Sequence, residues 1–370
     1  MRQYQRWCAS ACLLLCAACA GPSAEFPALP ADDVKAEQRR QQIAQIRDYF
    51  EQLHRLDTVA FRLRIANRAD CKDRVAPQIG LIAATPQSLP RKYRSFSAEA
   101  LRLRWVRATV VSVVEGSPAG VAGIVDRDEL MTFNNEPVPV TATSAWIDNF
   151  LRKNGDKPVQ VVFKRDGEDH TVDVTPVTGC RIPVYMEVDA ILDAHTDYTK
   201  IVINTGIMRL ARTDDQLAAI VGHELAHVNM GHYRKKFQNE MLGQFGGALI
   251  DGGLLLGGVY SGRTFTNYLG AVGTLTFSVE FEREADYVGA YYAARAGYSI
   301  AGVEAVWEAF GLEMPASLTV ATTHPISAVR FLQMRKTAEE IADKQRRGAP
   351  LDPELKSRQV DTTPQREDMR

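Results

Sequence analysis

One run constrains this chain more than any other: RTDDQLAAIVGHELAHVNMGH, residues 212–232. Thr213 or Asp214 offers a helix N-cap, and apolar residues follow at helical spacing. His223 and His227 stand four apart, which on a helix sets them about 40° apart on one face, one turn above the other. Two neutral imidazoles so placed can hold one divalent ion, and Glu224 beside the first can take a proton from a water there. The competing reading is a pair of satisfied core histidines. A hydrolytic ion also needs a third protein ligand, with its fourth position left to water. His232 follows His227 by five residues, on another face, so it does not supply that ligand. The helix therefore demands that a distant segment fold back onto it.

The segment 278–297, SVEFEREADYVGAYYAARAG, is where a carboxylate can come from. Its mainly apolar stripe is Phe281, Ala285, Val288 and Tyr292. Glu282/Asp286 and Glu280/Glu284 flank that stripe almost symmetrically. The first row continues as Gly289 and Ala293, small enough for another helix to approach; the second continues as Tyr287 and Tyr291. On that ground Glu282 is the expected ligand. Asp286, one turn on, is placed to hydrogen-bond the outer nitrogen of a ligating histidine. A solvated acidic face is the alternative reading of this cluster.

The full 370-residue chain has room for two domains. A net charge of −1 gives no reason to expect nucleic-acid binding. Residues 31–66 read as a helix whose stripe (Ile43, Ile46, Phe50, Leu53, Leu56, Val59, Leu63) packs on a core. Residues 105–178 change to β-branched runs with turn signals, a helix at AWIDNFLRK and a hairpin with Asp166-Gly167 at its tip. From 181 the chain reads as helical, except for a strand at 199–208. The Gly-rich apolar stretch 243–276 reads as a packed helical hairpin, a mobile flap or a membrane-dipping loop. The polar end, 348–370, reads as a loose tail.

The first residues, MRQYQRWCASACLLLCAACAG, have the form of a secretory signal peptide. Four of six cysteines lie in it, leaving Cys71 and Cys180. In an oxidising compartment these form one disulfide closing the neck of the β-rich block; two buried free thiols are the alternative. Cys16-Ala17-Ala18-Cys19 resembles a bacterial lipobox, with Cys16 where leucine is usual. The resemblance implies lipidation at Cys19, simple cleavage near Ala18 or Ala20 being the other outcome. It implies a membrane contact through that lipid anchor and a place in the periplasm, as an outer-membrane lipoprotein of a Gram-negative bacterium.

LAAIVGHELAH followed by EREAD resembles the HtpX/CAAX-prenyl-endopeptidase family of zinc peptidases. The resemblance covers about 181–335 and implies His223, His227 and Glu282 as ligands of one Zn²⁺ per chain, Glu224 as general base and Asp286 as ligand support. It extends to ATTHPISAVR, onto which His324 and Arg330 fall. His324 then stabilises a developing oxyanion, acts as a removable fourth ligand, or merely enters a helix before Pro325; Arg330 reads as a structural ion-pair partner. The family also places an edge strand beside the site, onto which Ile201–Asn204 falls. Departures are Asp193 for an expected Asn and Val279 for a usual Arg. VVSVVEGSPAGVAGI…DELMTFNNEPV resembles the PDZ-like domains of periplasmic proteases, with Asp128 and Asn134 in place and Arg127 where Gly is usual. PQIGLIAATP (77–86) is the expected peptide-binding loop.

The expected fold is α+β: a mainly helical gluzincin-type metallopeptidase domain with a small edge sheet, plus an inserted β-rich PDZ-like domain. Its expected divisions are signal peptide 1–18, tether 19–30, helical part 31–75, PDZ-like domain 79–178, peptidase domain 181–347 and tail 348–370. The expected function is zinc-dependent endopeptidase, with extended or misfolded polypeptides as substrates and peptide termini bound at the PDZ-like domain. The alternative is a periplasmic chaperone or peptide-binding protein working through that domain, its zinc mainly structural.

Overall fold

The structure, a computed structural model, describes residues 24–141, 143–197, 199–275, 278–313 and 328–356. The leader with Cys19, His324 and residues 357–370 lie outside them. Helix α1 spans Ala31–Ala66. Asp32 and Asp33 occupy its first turn, where the helix dipole favours acids. The apolar stripe is buried from Ile46 onward, through Phe50, Leu56, Val59 and Leu63. The helix stops at Asn67, whose side-chain amide donates to the carbonyls of Leu63 (2.9 Å) and Tyr292 (3.1 Å), tying α1 to a helix far along the chain.

The chain then builds the β-rich unit: β1 (Val75–Gln78), β2 (Leu81–Ala84), a stretch of helical turns ending in α2 (Ser97–Leu101), β3 (Ala108–Val113), α3 (Pro118–Val121), β4 (Glu129–Phe133), β5 (Glu136–Pro137), α4 (Thr143–Asn154), β6 (Val159–Arg165), β7 (Glu168–Val174) and β8 (Val177–Cys180). Antiparallel strands β2-β3-β4-β6-β7 form one sheet in that order, with β5 added to β4. Phe133, Val161 and Phe163 of the sheet and Ile147 and Phe150 of α4 make its core. The hairpin β6–β7 turns at Asp166-Gly167, both at positive φ. Arg127 also takes positive φ (76°), so the turn before Asp128 keeps the backbone that glycine would give. The stretch 86–103 adds no strand; Leu89, Tyr93 and Leu103 pack instead on Ile46 and Phe50 of α1.

At the neck, β1 pairs with β8, Val75 opposite Cys180, and a disulfide joins Cys71 to Cys180 across 109 residues. A covalent clasp on so long a loop contributes about 4–5 kcal/mol in the chain-entropy account.

The second unit starts with β9 (Val184–Glu187), β10 (Ala194–Thr196) and β11 (Ile201–Asn204). Two expectations need correcting here. The strand predicted at 199–208 covers only 201–204, because Gly206 N–H bonds to the Asp189 carbonyl and the chain turns into α5 (Thr205–Leu210). Nor is Ile201–Asn204 an edge strand: β11 is central, parallel to β9 on one side and antiparallel to β10 on the other. Its main-chain groups already face two neighbouring strands.

Helices follow: α6 (Asp214–Asn229), α7 (His232–Leu256), α8 (Thr264–Leu275), α9 (Ser278–Arg295), α10 (Val303–Glu313) and α11 (Ala328–Arg346). The Gly-rich stretch is thus a helical hairpin, α7–α8, and no helix among the described residues is long and apolar enough to cross a membrane. The tail is not loose where it is described. Arg295 donates to the Leu351 carbonyl and the Asp352 carboxylate, and Lys344 to Glu354.

Candidate metal centre

Helix α6 begins with a capping box. Thr213 Oγ1 accepts from Gln216 N–H while Gln216 Oε1 accepts from Thr213 N–H. From Leu217 to Val228 every residue is buried, so α6 is a core helix and its histidines lie inside. Helix α9 crosses it where both carry glycine. A Cβ at Gly222 would lie 2.8 Å from the Gly289 carbonyl oxygen, and one at Gly289 2.7 Å from the His223 nitrogen. That backbone-to-backbone crossing carries the Glu282/Asp286 row onto the histidine face.

Nε2 of His223 and Nε2 of His227 are 3.0 Å apart. Glu282 Oε2 lies 3.4 Å from the first and Glu282 Oε1 3.5 Å from the second. All three side chains are buried, and among the described residues they form the one His/Cys/Asp/Glu group whose ligand atoms converge, within 4.8 Å of one another. Zinc bonds of about 2.0–2.1 Å in a tetrahedron require ligand atoms roughly 3.3 Å apart. Two imidazole nitrogens and one carboxylate at these spacings fit Zn²⁺ with a position to spare. Glu224, next to His223 in sequence, is also buried.

His223 is backed by a carboxylate. Asp286 Oδ1 lies 2.9 Å from His223 Nδ1 and is itself gripped by Arg330, whose Nε and Nη2 donate at 2.7 and 2.8 Å. The Arg330 guanidinium rests 4.6 Å over the Trp307 ring, which in turn stands 5.7 Å from His223. Burial alone would raise the Asp286 pKa, but Arg330 and His223 hold it below the ordinary carboxylate range. Burial opposes a charge on His223, yet hydrogen bonds to Asp286 and Glu282 push its pKa up to about 9. The carboxylates of Asp286 and Glu282 therefore favour positive charge at this end of the pocket. Arg330 is a bidentate ion-pair partner, as its sequence position suggested.

Sequence reasoning missed the second support. His232 Nδ1 is 2.8 Å from His227 Nδ1, and its Nε2 is 2.7 Å from Glu284 Oε2. Lys235 reaches the same Glu284 oxygen at 3.5 Å, and the His232 ring stacks on Phe281. Helical phase puts His232 on another face only if the helix continues. It stops at Met230, Gly231 takes φ 67°, and His232 opens α7 pointing back at His227. The glycine was the available signal. Glu284, in the acidic row set aside as surface-like, holds that ring.

Residues 184–338 match Peptidase family M48. The chain is similar to the mitochondrial metalloendopeptidase OMA1 of Schizosaccharomyces pombe, 29% identical over 159 residues, which is 38% of this chain and 42% of that protein. It thus spans less than half of that relative's length. Among solved structures it is similar to the HtrA3 PDZ domain bound to a phage-derived ligand (20% identity, 28% of this chain and 88% of that one, TM-score 0.22) and to the HtrA-type protease AlgW with a decapeptide (18%, 29% and 30%, TM-score 0.22). Scores of that size assign neither fold nor ligand. The family match spans the helix of His223 and His227 and the helix of Glu282, so the part of the chain that carries the candidate metal centre is similar to Peptidase family M48.

Proposed function

We propose that this protein is a zinc-dependent endopeptidase cutting unfolded or misfolded polypeptides of a bacterial envelope, with His223, His227 and Glu282 as ligands of one Zn²⁺. The convergence of two imidazoles and one carboxylate at 3.0–3.5 Å carries this reading. Zn²⁺ bound there supplies Lewis acidity. Glu224 accepts a proton from the attacking water and returns it to the leaving amine. Asp286, pinned by Arg330, orients His223; His232, pinned by Glu284, orients His227.

The β-rich unit 79–178 is read as a PDZ-like module that takes peptide termini. Among the sheet strands β2 pairs with β3 alone, leaving its outer edge for an added strand. A cavity of about 250 Å³ where β1 meets α4 and the neck is lined by Pro77, Gln78, Asp148, Arg152 and Arg181. Arg64 lines it too, and three guanidiniums there suit a terminal carboxylate. The signal-like leader and the lipobox-like Cys16–Cys19 support an acylated protein on the periplasmic side of the outer membrane.

The test is casein cleavage by wild type and Glu224→Gln, with zinc measured in both. Lost cleavage with zinc retained is the expected result. Cleavage surviving in Glu224→Gln would sink the assignment, and an intact cellular role in that variant would favour a chaperone working through the PDZ-like unit.

A further inference from the structure

The α7–α8 hairpin has an unusual surface. Its helices press backbone to backbone: a Cβ at Gly243 would lie 2.0 Å from the Leu269 carbonyl oxygen, and one at Gly247 2.2 Å from that of Phe265. The large side chains turn outward instead. Leu242, Phe245 and Leu249 on α7 and Tyr268 and Leu275 on α8 are exposed, and at the tip Leu256 is 93% and Tyr260 85% exposed. Apolar surface of this extent marks a contact with a partner or a membrane.

Three observations point to a membrane. First, exposed Phe237, Leu242 and Ile250 fall on three different sides of α7 at 100° per residue, whereas a docking protein covers one face. Second, Asp251 and Arg263 are the charged residues between Met241 and Leu275. Asp251 is turned inward, accepting from Ser261 Oγ, from the Phe265 and Thr266 amides and from Thr266 Oγ1, while Arg263 is exposed. The outward charge of the finger is positive and complements anionic headgroups; Tyr260 and Tyr268 add rings of the kind that settle at that level. Third, Met241–Leu256 rises about 24 Å at 1.5 Å per residue, short of the roughly 30 Å hydrocarbon core.

We infer that the α7–α8 finger docks this protein on an anionic phospholipid bilayer, with Leu255, Leu256, Val259 and Tyr260 entering one leaflet and Arg263 meeting headgroup phosphates. The finger leaves the body at His232 and returns into the helix of Glu282, so docking fixes the metal centre at a set height above the lipid. The inference is independent of the peptidase chemistry and of any N-terminal lipid.

Tyr260→Trp in the full chain reports the contact, with Val259→Trp as a second reporter should the first perturb the tip. Vesicles of phosphatidylethanolamine and phosphatidylglycerol carrying brominated acyl chains should shift the added indole to the blue. They should also quench it severalfold more than the native tryptophans. Adding Leu255→Asp and Leu256→Asp should remove both effects. No lipid-dependent quenching of either reporter, in protein with an unchanged circular dichroism spectrum, overturns the inference. So does a blue shift that appears without vesicles and grows with protein concentration, which would mean that a second copy covers the finger.

Discussion

Two helix crossings in this molecule use the same device with opposite results. At α6–α9, Gly222 and Gly289 let two backbones touch, and buried histidines and carboxylates flank the contact. At α7–α8, Gly243 and Gly247 do the same, and exposed Leu, Phe and Tyr flank it. The glycines set distance only. The first crossing is enclosed by α1, α10 and α11, so its polar groups are desolvated and must pair with one another or with a metal. Nothing among the described residues encloses most of the second, so its apolar groups meet solvent or lipid.

The largest expected effect comes from opening the enclosed crossing. Gly222→Val forces a side chain into the Gly289 carbonyl; we expect a loss of about 3 kcal/mol or more of stability together with bound zinc, read by thermal unfolding and metal analysis. A variant that keeps zinc would show that the helices can separate without losing the centre. Next come the ligand supports. His232→Ala and Glu284→Gln should each weaken zinc about 10–100-fold in a chelator competition while the fold persists, because His227 loses the group that fixes its ring. Unchanged affinity in both would reduce the His232–Glu284 pair to packing.

Gly247→Val should be milder in the body. Hydrogen exchange in α7 and α8 should quicken while zinc content stays at the wild-type level, since the collision with Phe265 lies in the finger. The smallest effect concerns Asp251. Despite a desolvation cost, hydrogen bonds from Ser261, Thr266 and Phe265 lower its pKa to about 2. A depressed carboxyl stabilises the fold above its ordinary titration range and loses that contribution as pH falls through the depressed value. Protection of the tip should therefore persist above about pH 4 and fade towards pH 2. In Asp251→Asn it should be weaker and flat across that window.

Much of the candidate site was legible because its spacing is local. His223 and His227 share a helix face whatever surrounds them. The choice of Glu282 over Glu280 followed from Gly289, one of the two glycines at the observed crossing. The cysteine count pointed to Cys71 and Cys180, which the structure joins. The alternation and turn residues of 105–178 marked β3, β4, the helix α4 and the β6–β7 hairpin.

Other features belong to contacts that no local pattern encodes. Strands β9 and β10 are short, and each exists because β11 lies beside it. That β11 is central and not an edge is a property of three segments together. The His227–His232–Glu284 chain of contacts needs both the left-handed turn at Gly231 and the arrival of α9. Sequence periodicity fixes which side of a helix a residue occupies, since that depends on the 3.6-residue turn alone. Which groups face it across the interior, and so whether a histidine binds metal or steadies one that does, depends on how separate elements pack, and that was decided only in the folded chain.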